Sequence, residues 1–132
     1  MLSPGSYIVV LGAGESGVGA AMLAKKKGFK VFVSDRSNIA SKYKKQLLEC
    51  SIVFEEGTHT LDKILHADLV IKSPGIPDKA PLIQELLNNG VSVISEIEWG
   101  YYFLEGGEVI AITGTNGKTT TATLTHHILK SA

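Results

Sequence analysis

Residues 7–17 read YIVVLGAGESG, a continuous apolar run followed by glycines at positions 12, 14 and 17. An apolar run without polar alternation is expected of a parallel strand covered on both faces, not of a strand with one wet face. The glycines then form a G-x-G-x-x-G pattern immediately before helix-forming sequence. Gly12 permits the tight turn, Gly14 lets backbone approach a phosphate, and Gly17 lets the helix pack close to the strand. A helix starting there offers free N–H groups and a positive dipole end to a diphosphate.

Downstream the same alternation repeats. Residues 16–27 are predicted helical and stop at Gly28, where a left-handed cap is convenient. KVFVSD (residues 30–35) is a second strand ending on Asp35, about twenty residues beyond the glycines, where a carboxylate commonly meets a ribose or base. A lysine-rich amphipathic helix is expected over 39–49, a third strand at SIVFEE (51–56) and a short helix at LDKILHA (61–67). DLVIKSPG (68–75) reads as a fourth strand running into a Pro-Gly turn, 81–89 as a helix stopped by Gly90, and VSVIS (91–95) as a fifth strand. This β-α-β order predicts an α/β fold: a doubly wound, five-stranded parallel sheet with right-handed crossovers.

After Ser95 the texture changes. EIEWGYYFLEGG (96–107) gathers Trp99, Tyr101, Tyr102 and Phe103, read as packing residues, before the pair Gly106 and Gly107. A second strand–loop–helix unit is expected next: EVIAIT (108–113), the loop GTNGKT (114–119), and a helix over about 119–130. The organisation expected is a first domain at 1–95, a linker at 96–107, and the start of a second domain at 108–132. In the loop, Gly114 and Gly117 free the backbone to wrap phosphate oxygens. Lys118 supplies a mobile positive charge, and the Thr119 hydroxyl can ligate Mg²⁺. The loop departs from the general Walker pattern, because Ile112 stands where that pattern has its first glycine.

Composition narrows the function classes. Hydrophobic residues form 44% of the 132, enough for a real core. Thirteen basic residues balance thirteen acidic ones, so net charge points neither to nucleic acid nor to an anionic membrane. A single cysteine, Cys50, excludes an internal disulfide framework and fits a reducing cytosol; no thiol-activating motif surrounds it. No apolar run approaches the ~20 residues that span a bilayer, and the N-terminus lacks the basic-then-apolar form of a signal sequence. His59 and His66 are read as solvent-facing or capping. His126 and His127 are adjacent on a helix, about 100° apart, and cannot chelate one metal. The lysines at 25–27 and 42–45 are read as solvated helix faces.

Together these motifs resemble the Mur ligases, ATP-dependent amide-forming enzymes that build the peptide of bacterial peptidoglycan. Their phosphate loop lacks the first Walker glycine and reads G-[TS]-N-G-K-[ST], as residues 114–119 do. The D-glutamate-adding branch is the most similar. Its first loop has the form G-x-G-x-[ST]-G, matched at 12–17 with Ser16 as the hydroxyl. Its S-P-G-I is matched at 73–76, and its acidic-aliphatic-acidic helix entry at 96–98.

The resemblance implies a Rossmann-like first domain holding the UDP part of a UDP-muramoyl substrate. Carried across, Gly14, Glu15, Ser16 and Gly17 would face the diphosphate, Asp35 the uridine, and Gly75 the nucleotide from the opposite loop. The family often has a hydroxyl residue and then arginine after this aspartate. Here Arg36 precedes Ser37, which leaves open which side chain stacks on uracil. Gly114, Thr115, Asn116, Gly117, Lys118, Thr119 and Thr120 would bind ATP, with Thr119 on Mg²⁺. In the family, ATP phosphorylates the substrate carboxylate and the amine of an amino acid attacks the acyl phosphate.

The full enzymes continue through a central ATPase domain and a C-terminal amino-acid-binding domain. The chain is therefore expected to be the N-terminal part of a cytoplasmic bacterial enzyme that is monomeric at full length. Alone it is expected to hold no catalytic residue and no ligase activity. Strand 108–113 is expected to add to the first sheet or to pair with a second chain. Two rival functions compete with this reading. An NAD(P)-binding oxidoreductase domain would use the three glycines, Asp35 and Arg36 but leaves GTNGKT and SPGI unexplained. A small P-loop NTPase lacks further strands and a Walker B aspartate beyond Lys118.

Overall fold

The computed structural model describes residues 2–132. Five strands form one parallel sheet: β1 (Tyr7–Leu11), β2 (Lys30–Asp35), β3 (Val53–Glu56), β4 (Leu69–Lys72) and β5 (Val93–Ser95). Their spatial order is β3-β2-β1-β4-β5, with β1 central. Between them run α1 (Glu15–Lys26), α2 (Ser41–Glu49), α3 (Leu61–Leu65) and α4 (Pro81–Asn88). α5 (Glu96–Tyr102) and α6 (Lys118–Ser131) follow the last strand.

The continuous apolar runs are explained by burial on both faces. Ile8 and Val10 of β1 join Val31, Val33, Leu69 and Ile71 in a core with α1 and α2. Val9 and Leu11 face the other way, joining Phe32 and Val70 against Ile64 of α3 and Ile83 and Leu86 of α4. The register Val9↔Phe32 and Val9↔Val70 keeps each layer in step. Burying each of these aliphatic side chains contributes about 1.5–3 kcal/mol. α1 lies close to the sheet because its buried face is made of small residues, Gly17, Ala20, Ala21 and Ala24 beside Val18.

Element boundaries differ from the expected ones where turns intrude. The third strand begins at Val53, not Ser51, because Ser51 takes a left-handed φ of 53° in the turn closing α2. The fourth ends at Lys72, where Ser73 enters a turn closed by the Ile76 N–H donating to the Ser73 carbonyl at 3.0 Å.

Two differences are larger. Residues 96–102, expected within a linker, form α5 and pack into the first body. Ser95 caps it: its hydroxyl accepts from the Glu98 N–H at 3.2 Å, and the Glu98 carboxylate accepts from the Ser95 N–H at 2.7 Å. Trp99 of α5 is 1% exposed. It meets the Phe103 ring at 4.7 Å and the Phe29 ring at 5.7 Å, and its Nε1–H donates to the Ala20 carbonyl at 3.2 Å. Residues 108–113, expected as a sixth strand, carry no strand pairing. They add to neither edge of the sheet, so their backbone has no ladder partner. α6 forms as expected, but none of its residues is buried.

Trp99→Ala should cost about 3–5 kcal/mol, since it empties the joint between α5, α1 and Phe29. The check is a lowered urea midpoint with an unchanged m value.

Candidate functional site

The chain visits β1, β2 and β3 on one side of the sheet and then crosses to β4 and β5 on the other. Loops leaving the carboxyl ends of β1 and β4 therefore diverge, and a crevice opens between them, the usual ligand position in such sheets. A cavity of about 730 Å³ lies there. Gly12 and Gly14 form its floor, and Asp35, Arg36 and Ser37 after β2 form one wall. Gly57, Thr58 and His59 after β3 extend that wall, while Ser73, Gly75, Ile76 and Pro77 after β4 form the opposite one.

The three glycines have distinct local reasons. Gly12 has φ +101°, and a Cβ there would lie 3.0 Å from Ser73 Cβ. Gly17 admits no side chain: a Cβ would sit 2.0 Å from the Gly12 carbonyl oxygen. A Cβ on Gly14 meets nothing within 4 Å, so this position is left open toward the cavity. Gly14 also starts α1 without a side-chain cap. The first-turn N–H groups of α1 thus keep their donors for an anion, with no intrahelical acceptor of their own.

Asp35 reaches the cavity, but its carboxylate is already bonded to backbone. Oδ2 accepts from the Ala13 N–H and Oδ1 from the Ser37 N–H, both at 2.7 Å. It clasps the glycine loop to the end of β2. Arg36 and Ser37 both line the space and are exposed. Gly75 lines the opposite wall. Glu15 and Ser16 do not line this cavity. Ser16 borders a separate shallow one with Pro74, Glu96 and Trp99, and Gly17 lines neither.

Two side chains that sequence reasoning missed shape the walls. Lys72 Nζ donates to the Ile76 carbonyl at 3.0 Å and pairs with Asp78 at 3.0 Å, fixing the curl of the loop after β4. His59, read as solvent-facing or capping, instead lines the cavity half-buried. Its Nδ1 lies 2.7 Å from the Ser34 hydroxyl, which lies 2.7 Å from Glu55 Oε1. Glu55 also accepts from the Thr60 N–H at 2.7 Å and the Thr60 hydroxyl at 2.6 Å.

Burial alone would raise the Glu55 carboxyl. The Thr60 and Ser34 bonds, with Lys63 nearby, outweigh it and hold the group below the usual carboxylate range. Burial pushes the His59 imidazole below its ordinary value, more than the Asp35 and Glu55 carboxylates raise it, and Arg36 adds to the lowering. His59 is therefore neutral at pH 7.

The other histidines take no part. His66 closes α3, its Nδ1 lying 2.6 Å from the Asp62 carbonyl, and His126 and His127 are exposed on α6. Cys50 is free and packs at the margin of the core. Among the described residues no group of three His, Cys, Asp or Glu side chains could hold a metal, and no helix is long and apolar enough to cross a membrane.

The second loop stands apart. Gly117 adopts φ 75° as it enters α6, and Gly114 has φ 151°. Residues 114–120 are exposed and lie outside the cavity at the sheet.

Residues 6–95 match the family model for the Mur ligase MurD-like N-terminal domain. A curated relative from Bacteroides thetaiotaomicron, named UDP-N-acetylmuramoylalanine–D-glutamate ligase, is 59% identical over 125 residues, covering 95% of this chain and 28% of that protein. One of the same name from Cytophaga hutchinsonii is 54% identical over 123 residues, with 92% and 27% covered. Among solved structures, the chain is similar to the murein peptide ligase mpl of Psychrobacter arcticus, with TM-score 0.71 and 29% identity over 96% of this chain and 26% of that one. The chain thus spans 27–28% of the length of these curated relatives.

The glycine geometry separates two substitutions that look alike in sequence. Gly17→Val should cost about 2 kcal/mol or more by driving a side chain into the Gly12 carbonyl. Gly14→Val, in extended backbone beside open space, should stay within about 1 kcal/mol of the parent. Paired thermal melts check both.

Proposed function

The chain belongs to the Mur ligases, as a MurD-like N-terminal domain, and from that premise we propose that it is the UDP-substrate-binding part of an ATP-dependent ligase. The reaction proposed for the whole enzyme joins D-glutamate to UDP-N-acetylmuramoyl-L-alanine during peptidoglycan synthesis in the bacterial cytoplasm. The observation that carries this reading is the cavity at the crossover of the sheet. It brings Gly14, Asp35, Arg36, Ser37 and Gly75 around one space large enough for a nucleotide. The diphosphate is assigned to Gly14 and the first-turn amides of Glu15, Ser16 and Gly17, whose donors and dipole suit an anion. The uridine lies against the wall formed by Asp35, Arg36 and Ser37.

ATP is assigned to the second loop, at Gly114, Thr115, Asn116, Gly117, Lys118, Thr119 and Thr120. The left-handed Gly117 at the start of a 14-residue helix supports a phosphate cradle there. Thr119 offers one hydroxyl to Mg²⁺, an ion that takes about six oxygen ligands. When bound, ATP would supply the phosphoryl group that activates a carboxylate. The residues present can hold phosphates and one metal position, but they build no adenine pocket around the exposed loop. We place the start of the ATP-binding domain in residues 108–132, with α5 belonging to the UDP-binding body. The whole enzyme is proposed as a monomer. Exposed Val109, Ile110, Leu124, Ile128 and Leu129 support self-association of this chain at high concentration, measurable by sedimentation.

Calorimetric titration should show saturation by UDP or UDP-N-acetylmuramate and none by NADH; the opposite pattern would restore the dinucleotide reading. Gly14→Val should weaken UDP binding about tenfold or more, since it blocks hydrogen bonds to a charged acceptor. Mg·ATP should bind negligibly, and Lys118→Ala should leave UDP affinity unchanged. Tight Mg·ATP binding abolished by Lys118→Ala would mean that the second loop is self-sufficient.

A further inference from the structure

We propose that His59 determines specificity at the nucleobase, accepting the imide N–H of a uracil-type base on its bare Nε2. The inference rests on the reading of the cavity as a uridine-nucleotide site and adds a residue and a mechanism to it.

Ser34, next to the carboxyl end of β2, is wholly buried. Its one hydroxyl proton has three neighbours: Glu55 Oε1 at 2.7 Å, His59 Nδ1 at 2.7 Å and the Thr58 carbonyl at 3.3 Å. Glu55 and His59 lie equally near, but an ionised carboxylate is a stronger acceptor than a neutral ring nitrogen, so the proton points to Glu55. The Ser34 oxygen is then left as an acceptor toward His59, which must place its single ring proton on Nδ1. Nε2 therefore carries a lone pair. It has no hydrogen-bond partner among the described residues, and His59 lines the cavity.

The neighbours on the same wall complete the pattern. Arg36 is donor-only, and the hydroxyls of Ser37 and Thr58 can donate. A bare acceptor on a wall that also carries donors suits the edge of uracil, where one N–H lies between two carbonyls. Cytosine presents a lone pair at that ring nitrogen and would meet the Nε2 lone pair head-on. Ser34 and Glu55 touch no ligand in this scheme; they are positioning residues that hold the tautomer. The arrangement is visible in the register, since Ser34 of β2 lies opposite Glu55 of β3.

The charged groups facing His59 are Asp35, Glu55 and Arg36, with Lys63 beyond Glu55. Because burial lowers the imidazole below its ordinary value, the neutral form persists through pH 7 and is lost only on acidification. Protonated Nε2 becomes a donor and the preference should disappear. UDP and CDP carry the same diphosphate, so their affinity ratio isolates the base from phosphate titration.

The test is calorimetry on the 132-residue chain with UDP, CDP and UDP bearing a methyl group on N3. Expected are a preference for UDP over CDP of about tenfold or more, and a similar loss on N3 methylation, the effect of leaving a partly buried acceptor unpaired. The UDP:CDP ratio should fall toward one below the His59 pKa. His59→Phe should abolish both the preference and its pH dependence, while Ser34→Ala should reduce the preference with UDP still bound. If the parent chain binds UDP, CDP and the N3-methyl compound equally, the inference is overturned and the uridine-site reading stands. A preference surviving intact in His59→Phe overturns it as well. Absence of binding by every nucleotide would remove both. The two ligand arms need no variant, so a misfolded His59→Phe leaves the question decidable.

Discussion

The approach of α1 to the glycine loop is the constraint on which the rest of the site depends. Gly17 passes so near the Gly12 carbonyl that a single added carbon would sit 2.0 Å from it. That contact sets where α1 begins, and hence where its uncapped amides point. Asp35 secures the arrangement from the next strand by taking the Ala13 N–H into its carboxylate. Ala20, Ala21 and Ala24 then carry the close packing down the helix, leaving room for Trp99 to seat against the Ala20 carbonyl. Binding geometry and core packing share one short-range contact here.

Much of the fold was legible because parallel strands buried on both faces leave an unusual mark, apolar runs such as YIVVL without alternation. The cavity was partly legible too, since glycine spacing encodes backbone approach. What sequence could not reveal was pairing across strands. His59 is unremarkable beside Thr58 and Thr60 until the register of β2 with β3 brings Ser34 opposite Glu55. Lys72 could not be assigned to the loop after β4 before that loop's curl was known. Asp35 lines the cavity, and its bonds to Ala13 and Ser37 give it a structural task that spacing alone does not show.

α5 escapes sequence reading for a different reason. The signal was present: Ser95 and Glu98 have the S-x-x-E spacing of a capping box. The crowd of aromatics and the glycine pair beyond it reads as a linker, which masks the helix at Glu96–Tyr102. The sixth strand failed on opposite grounds. EVIAIT has good strand propensity, yet propensity is expressed only where a neighbouring edge accepts the backbone, and both edges of this sheet leave it unpaired.

The strand order also has a consequence for how the chain comes to be folded. β1, at the centre of the sheet, is made first, but one of its two partners is β4, about sixty residues later. Between those events β1, β2 and β3 can assemble only half a sheet, with the β1 edge and its apolar flanks open. Pairing of this kind closes a long loop before it gains any contact, which slows the search and prolongs exposure of that edge. During synthesis the growing chain is most prone to mispair until Leu69–Lys72 has emerged. Intermediates trapped in refolding should therefore be sticky along β1 rather than at the sheet's final edges.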